Sequence, residues 1–245
     1  NINSEDAISG ILIGDFNFLA IPSLIKNSIL SNYDNYEISK NYGDFNINFN
    51  LNLKPKFANI ISQDVIIHQN TFLSGEFDLD NYQLQIQTPS LQFSKIKIDD
   101  LKLNISNNSG NININSIESD YFNGNNIEIL LSKVNDYTDF EINFKQSNDN
   151  IGSFQFEHTI DYNQRSEFLL KDIKFFYNGT YWQLKRQSKN KNRNLLVIGD
   201  KYRELKSTNI FSSDQSVEFN YFDDKNDFVF SSYFDNVKFS SIIPR

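Results

Sequence analysis

Apolar and polar residues alternate along much of this 245-residue chain. In the segment DFNINFNLNL, the residues Phe45, Ile47, Phe49, Leu51 and Leu53 are each separated by a single Asn. The same two-residue period returns at Phe77, Leu79, Tyr82, Leu84 and Ile86. After Phe93 it continues at Ile96, Ile98, Leu101, Leu103 and Ile105. Further along it marks Phe140, Ile142 and Phe144, then Phe154 and Phe156, then Val217, Phe219 and Tyr221, then Phe228 and Phe230. A strand sends successive side chains to opposite faces, so this period predicts strands with one oily and one wet face. Turn chemistry separates them: SNNSGN after Ile105, SNDN after Gln146, the pair Asn178-Gly179, and DDKND after Phe222. Connections this short predict antiparallel neighbours, about 16 to 18 strands in all. One helix is expected over 21–31, where Ile21, Leu24, Ile25 and Ile29 recur at helical spacing and Pro22 suits the first turn.

Composition supports the all-β reading. Ala, the best helix former, occurs only at Ala7, Ala20 and Ala58, whereas Ile and Phe are abundant and Asn crowds the turns. No Pro-rich or Gly/Ser-rich linker interrupts the chain, so residues 1–245 read as one continuous segment. So many one-sided strands cannot leave their apolar faces in water. Either the sheet packs shut against a second sheet, or it curls into a trough covered by a ligand. Periodicity leaves both open.

The chemistry is sparse. A net charge of -8 and a pI near 4.8 argue against nucleic acid, which demands a basic footprint. With no Cys there is no disulfide, thiol nucleophile or thiolate metal site. No apolar run approaches the roughly 18 residues of a membrane span, and no signal peptide is visible. His68 and His158 are the only histidines, and each reads as a structural residue on a strand rather than a base. No nucleophile-elbow, zinc-protease, phosphate-loop or dinucleotide motif occurs, so the expectation is a protein without enzymatic activity, metal or cofactor. Trp182, the single Trp, reads as a core anchor beside Phe176 and Tyr181, with a stacking platform as the alternative. The basic residues Lys185, Arg186, Lys189, Lys191 and Arg193 read as a solvated hairpin end, or else as a contact for anionic headgroups.

Two blocks carry a resemblance. The first runs from INFNLNLKPKF to LNISNNSGN, with Leu51, Leu53, Pro55, Gly75, Phe77, Pro89, Ile96, Ile98, Leu101 and Leu103 at its marked positions. The second runs from Phe168 to Pro244, with Trp182, Gln215, Ser216, Val217, Phe219, Phe234, Val237, Phe239, Ile242 and Pro244. Together they resemble the AsmA/TamB-like superfamily, the translocation and assembly module proteins, in the form found in Bacteroidota. The resemblance implies an internal segment of a longer periplasmic protein, anchored in the inner membrane through a part not in this segment. Its fold would be a long antiparallel sheet curled into a half-pipe, the β-taco. It implies conduction of phospholipid acyl chains between inner and outer membrane, and an outer-membrane barrel partner of the BamA/TamA type. The alternating apolar residues named above, from Phe45 to Phe230 and without Tyr82 and Tyr221, would line the lipid groove. The alternative is a closed β-sandwich or solenoid serving as a structural or adhesion module.

Overall fold

Strand-forming Ile, Phe and Tyr separated by polar turns give a chain whose described residues are mostly antiparallel strand. The computed structural model describes residues 2–4, 7–37, 44–57, 65–67, 70–120, 122–146, 150–177, 179–185, 194–225 and 227–238. Seventeen strands are found among them, together with the 3-10 turn Phe18–Ala20 and a helix at Ile21–Leu30, and the strand pairs within each unit are antiparallel. The chain divides into two compact units, Asn1–Lys133 and Val134–Arg245, at a point where the sequence carries no linker.

The first unit contains β1 (Ile2–Ser4), β2 (Ile8–Asp15), β3 (Asn46–Leu53), β4 (Val65–Ile67), β5 (Thr71–Asp78), β6 (Tyr82–Phe93), β7 (Ile96–Ser106), β8 (Ser109–Glu118) and β9 (Asn123–Val134). Pairing runs β1 to β2, β2 to β3, β3 to β5, then in sequence order to β9. Strand β4 pairs with the far end of β6, beyond the end of β5.

The register places Leu12, Phe49, Gly75 and Leu84 in one row across four strands, and Ile47, Phe77 and Tyr82 in the next. The intervening Asn46, Asn48 and Asn50 are exposed on the other face. Over this part of the apolar face lies α1 (Ile21–Leu30), whose Leu24 is fully buried. Ile21, Ile25 and Ile29 pack beside it against a cluster of Phe45, Ile47, Phe49 and Phe77. Pro22 in the first turn costs no hydrogen bond, and Ser31 closes the helix by donating its N–H to Asn27. The helix anticipated at 21–31 is therefore present within one residue.

The second unit contains β10 (Tyr137–Lys145), β11 (Ile151–Ile160), β12 (Ser166–Tyr177), β13 (Thr180–Leu184), β14 (Leu195–Gly199), β15 (Tyr202–Ser212), β16 (Gln215–Asp223) and β17 (Phe228–Asp235). β13 and β14 pair with successive stretches of β12 on one side and of β15 on the other. Tyr177 pairs with Thr180, leaving a two-residue connection in which Gly179 adopts φ +80°. Asn178 lies outside the described residues. The register shifts by one residue opposite Phe156 on β12 and between Leu205 and Thr208 on β15, where each strand carries one extra residue. The bulge on β12 lets Phe168, Leu170 and Ile173 share a face although their spacing breaks the two-residue period.

Candidate functional site

Residues paired directly across an antiparallel ladder project to the same face, so register assigns each apolar side chain to a side. In the first unit Ile86, Leu103, Ile112 and Ile129 form one row, and Leu84, Ile105 and Gly110 form part of another. Leu101, Ile114 and Ile127 form a third row, beside Thr88. Lys102, Asn104, Asn111, Asn113 and Glu128 occupy the opposite face and are exposed. Ile86, Leu101, Leu103, Ile105, Ile112 and Ile129 are half-buried, while Ile114 and Ile127 are buried.

The residues expected to line a groove thus fall into two environments in this unit. Phe45, Ile47, Phe49, Leu51, Phe77 and Leu84 belong to or pack against the cluster that α1 covers, so there the face is closed by protein. Leu53 forms a second cluster with Ile67. Ile86, Leu101, Leu103 and Ile105 lie beyond the helix, and Phe93, Ile96 and Ile98 continue the face at the far ends of β6 and β7. Phe93 is 54% exposed and Ile96 41%. Leu79 sits in the turn after β5, where Asp78 accepts hydrogen bonds from the backbone N–H groups of Asp80 and Asn81.

In the second unit an aromatic ladder crosses three strands. Phe140 stacks on Phe156 at 4.8 Å, and Phe156 meets Phe168 edge to face at 5.7 Å. His158 stacks on Phe168 at 4.7 Å and presents an edge contact to Phe140 at 6.3 Å. This packing makes His158 part of the ladder. His68 lies outside the described residues. Ile142 pairs with Phe154, which stacks on Phe144 at 5.4 Å. Val217, Phe219 and Tyr221 share this face with Ile210 and Leu205 on one side and with Phe234, Ser232 and Phe230 on the other.

One-sidedness is less complete here than the alternation implied. Val197 is buried on the opposite face, in a row with Glu167 and Glu204. Strand β17 is exposed on both faces: Phe228 and Phe230 on the apolar one, Val229 and Tyr233 on the other.

Trp182 is 2% exposed and pairs with Phe175, so it serves as an anchor, with no face open for stacking a ligand. Of the basic run, Lys185 is exposed, and Arg186, Lys189, Lys191 and Arg193 lie outside the described residues, as do Phe239, Ile242 and Pro244.

The polar faces carry local ion pairs. Asp99 accepts hydrogen bonds from Lys97, Ser90 and Ser116 at 2.9, 2.9 and 3.2 Å, and these hold its carboxyl below the ordinary value. Arg165 donates to Asp161 at 2.6 and 2.7 Å and lies over the Tyr202 ring at 4.4 Å. Burial raises the Glu167 carboxyl, and the nearby Asp161 adds to the shift. Three depressions of about 220, 300 and 490 Å³ border mainly Asn, Gln, Ser, Lys and Glu side chains. No group of three or more His, Asp or Glu side chains among the described residues is placed to hold a metal ion. Among the described residues, no helix is long and apolar enough to cross a membrane.

No family model, curated protein or solved structure matches this chain.

Proposed function

We propose that this chain is a lipid-conducting segment of an AsmA/TamB-like protein, carrying phospholipid acyl chains along the apolar faces of its sheets. The observation that carries this reading is the half-buried apolar surface beyond α1. Ile86, Leu101, Leu103, Ile105, Ile112 and Ile129 occupy consecutive rows, which also hold the buried Thr88, and the face continues to the exposed Phe93 and Ile96. Among the described residues, the substantial contacts between elements in each unit are those of neighbouring strands and of the α1 region. A layer of acyl chain on such a face gains about 0.8 kcal/mol per buried CH₂. The charged headgroup stays in water at the edge of the sheet, avoiding the cost of burial. In this reading the parent protein spans the periplasm and works with an outer-membrane barrel of the BamA/TamA type.

The test is native mass spectrometry and lipid extraction of the purified chain, followed by titration with a fluorescent phospholipid. Stoichiometric phospholipid displaced by the fluorescent analogue supports conduction. A chain that purifies empty and leaves the analogue in its vesicles would identify a structural module instead.

A further inference from the structure

In the first unit, one transverse line of residues breaks the pattern in every strand it crosses. Along β6 and β7 the pairs advance without a register shift, yet Pro89 and Asp100 do not pair. Across β7 and β8 the omitted pair is Asp100 with Asn115, and across β8 and β9 it is Asn115 with Asn126. Pro89, Asp100, Asn115 and Asn126 therefore lie on one line. Asp100 and Asn126 both adopt φ +49°, a left-handed conformation that Asp and Asn tolerate better than most residues. Pro89 has no N–H to give to a ladder.

The apolar face changes parity at this line. On one side it consists of Thr88, Leu101, Ile114 and Ile127, and on the other of Leu91, Ile98, Ile117 and Gly124. Both rows project to one face. Leu91 packs against the cluster of Leu53 and Ile67, and a Cβ built on Gly124 would lie 3.5 Å from Ile127. Strands that merely continued straight would have sent the second row to the wet face. On the wet side, Asp99 ties β6, β7 and β8 together through Ser90 and Ser116, one row beyond the line.

We propose that Pro89, Asp100, Asn115 and Asn126 form a hinge line dividing this sheet into two plates. A long plate carries α1 and the rows up to Thr88. A short plate carries β4 and the strand ends beyond the line, stitched by Asp99, and presents Phe93 and Ile96 at its rim. Along this line one row of ladder pairs is missing while the register on both sides is unchanged, so a bend there distorts no paired row, whereas a bend elsewhere must distort one. The short plate swings over or away from the apolar face and changes how much of that face water reaches. This motion is independent of what the face carries.

The chain contains no Cys, so two introduced cysteines report cleanly. Spin labels at Asn104→Cys and Glu118→Cys straddle the line, and labels at Asn104→Cys and Glu128→Cys both sit on the long plate. The distance distribution across the line should be roughly twofold wider than within the plate. Adding Asp100→Gly and Asn126→Gly, which keep the left-handed conformation accessible but loosen it, should widen the first distribution further and leave the second unchanged. Equal widths for the two pairs, or a glycine effect shared by both, would overturn the hinge.

Discussion

Phe144 lies flat over Gly152, its direct partner across the β10–β11 ladder, and fills the space a side chain there would need. The first unit repeats the arrangement with Phe49 and Gly75, where a Cβ would come within 2.8 Å of the rings of both Phe49 and Phe77. In each case a glycine creates a hollow and an aromatic ring from the next strand closes it. Both glycines are fully exchangeable in backbone terms, because neither has a positive φ. Their role is steric.

Gly152→Val should therefore destabilise the second unit by about 1–3 kcal/mol, the range for overpacking. Trimming the ring, as Phe144→Leu, should cost less in the Gly152→Val background than alone, because the two changes relieve one clash. Urea unfolding of the four proteins in this double-mutant cycle checks it. Additive effects would mean that the ring had moved aside.

Asp161 is 11% exposed and holds both the side chain and the backbone N–H of Arg165. Burial alone would raise its carboxyl, but the hydrogen bonds from Arg165 and Asn163 outweigh it and the net shift is downward. A carboxyl lowered by folding adds stability that is present above its unfolded value and lost as pH falls through its folded one. Asp161→Asn should cost about 1–2 kcal/mol at neutral pH. The difference from the parent should shrink below about pH 4. Thermal melts between pH 3 and pH 7 would show the two curves converging at the acid end.

Glu167 runs the other way. Its carboxyl is raised, chiefly by burial and by the nearby Asp161. A raised acid penalises folding once it ionises, so stability falls as pH rises from its unfolded value through its folded one. Glu167→Gln should stabilise the protein at neutral pH by no more than about 0.5 kcal/mol given its exposure, seen as a higher melting temperature. The gain should vanish in acid. A destabilised Gln variant at pH 7 would show that Glu167 holds a partner that matters more than its burial.

Much of this architecture is legible in the sequence. The two-residue period marked β3, β5, β6, β7, β10, β11, β16 and β17, and Ile21, Leu24, Ile25 and Ile29 placed the helix. The period alone could not say that α1 folds back over Ile47, Phe49 and Phe77, because an oily strand face looks the same under a helix as under a ligand. The hinge line leaves a trace that periodicity contains: apolar positions step by three from Ile98 to Leu101 and from Ile114 to Ile117. An identical step from Leu170 to Ile173 in the second unit marks a one-residue bulge instead. Distinguishing the two requires knowing whether neighbouring strands step together, which is a property of pairing and not of any one segment. The division near Val134 is silent because the sequence there carries no linker.

Three substitutions separate an open face from a packed one. Phe93 is 54% exposed, Leu103 is half-buried, and Phe144 is buried against Gly152. All three belong to the set expected to meet acyl chains, yet the cost of a carboxylate depends on whether water reaches it. Phe144→Glu places a charge in a closed site opposite Gly152 and should cost several kcal/mol, enough to unfold its unit. Leu103→Glu should cost about 1–2 kcal/mol, because the carboxylate can reach solvent at the surface of the sheet. Phe93→Glu should be nearly neutral for stability. Binding of a fluorescent phospholipid should follow a different order. Leu103→Glu, folded and in the middle of the apolar rows, should lose most of its binding, while Phe93→Glu at the rim should lose part. Both folded variants binding as well as the parent would remove this face from any lipid path. A Leu103→Glu variant that unfolds outright would show that its row is covered by packed protein.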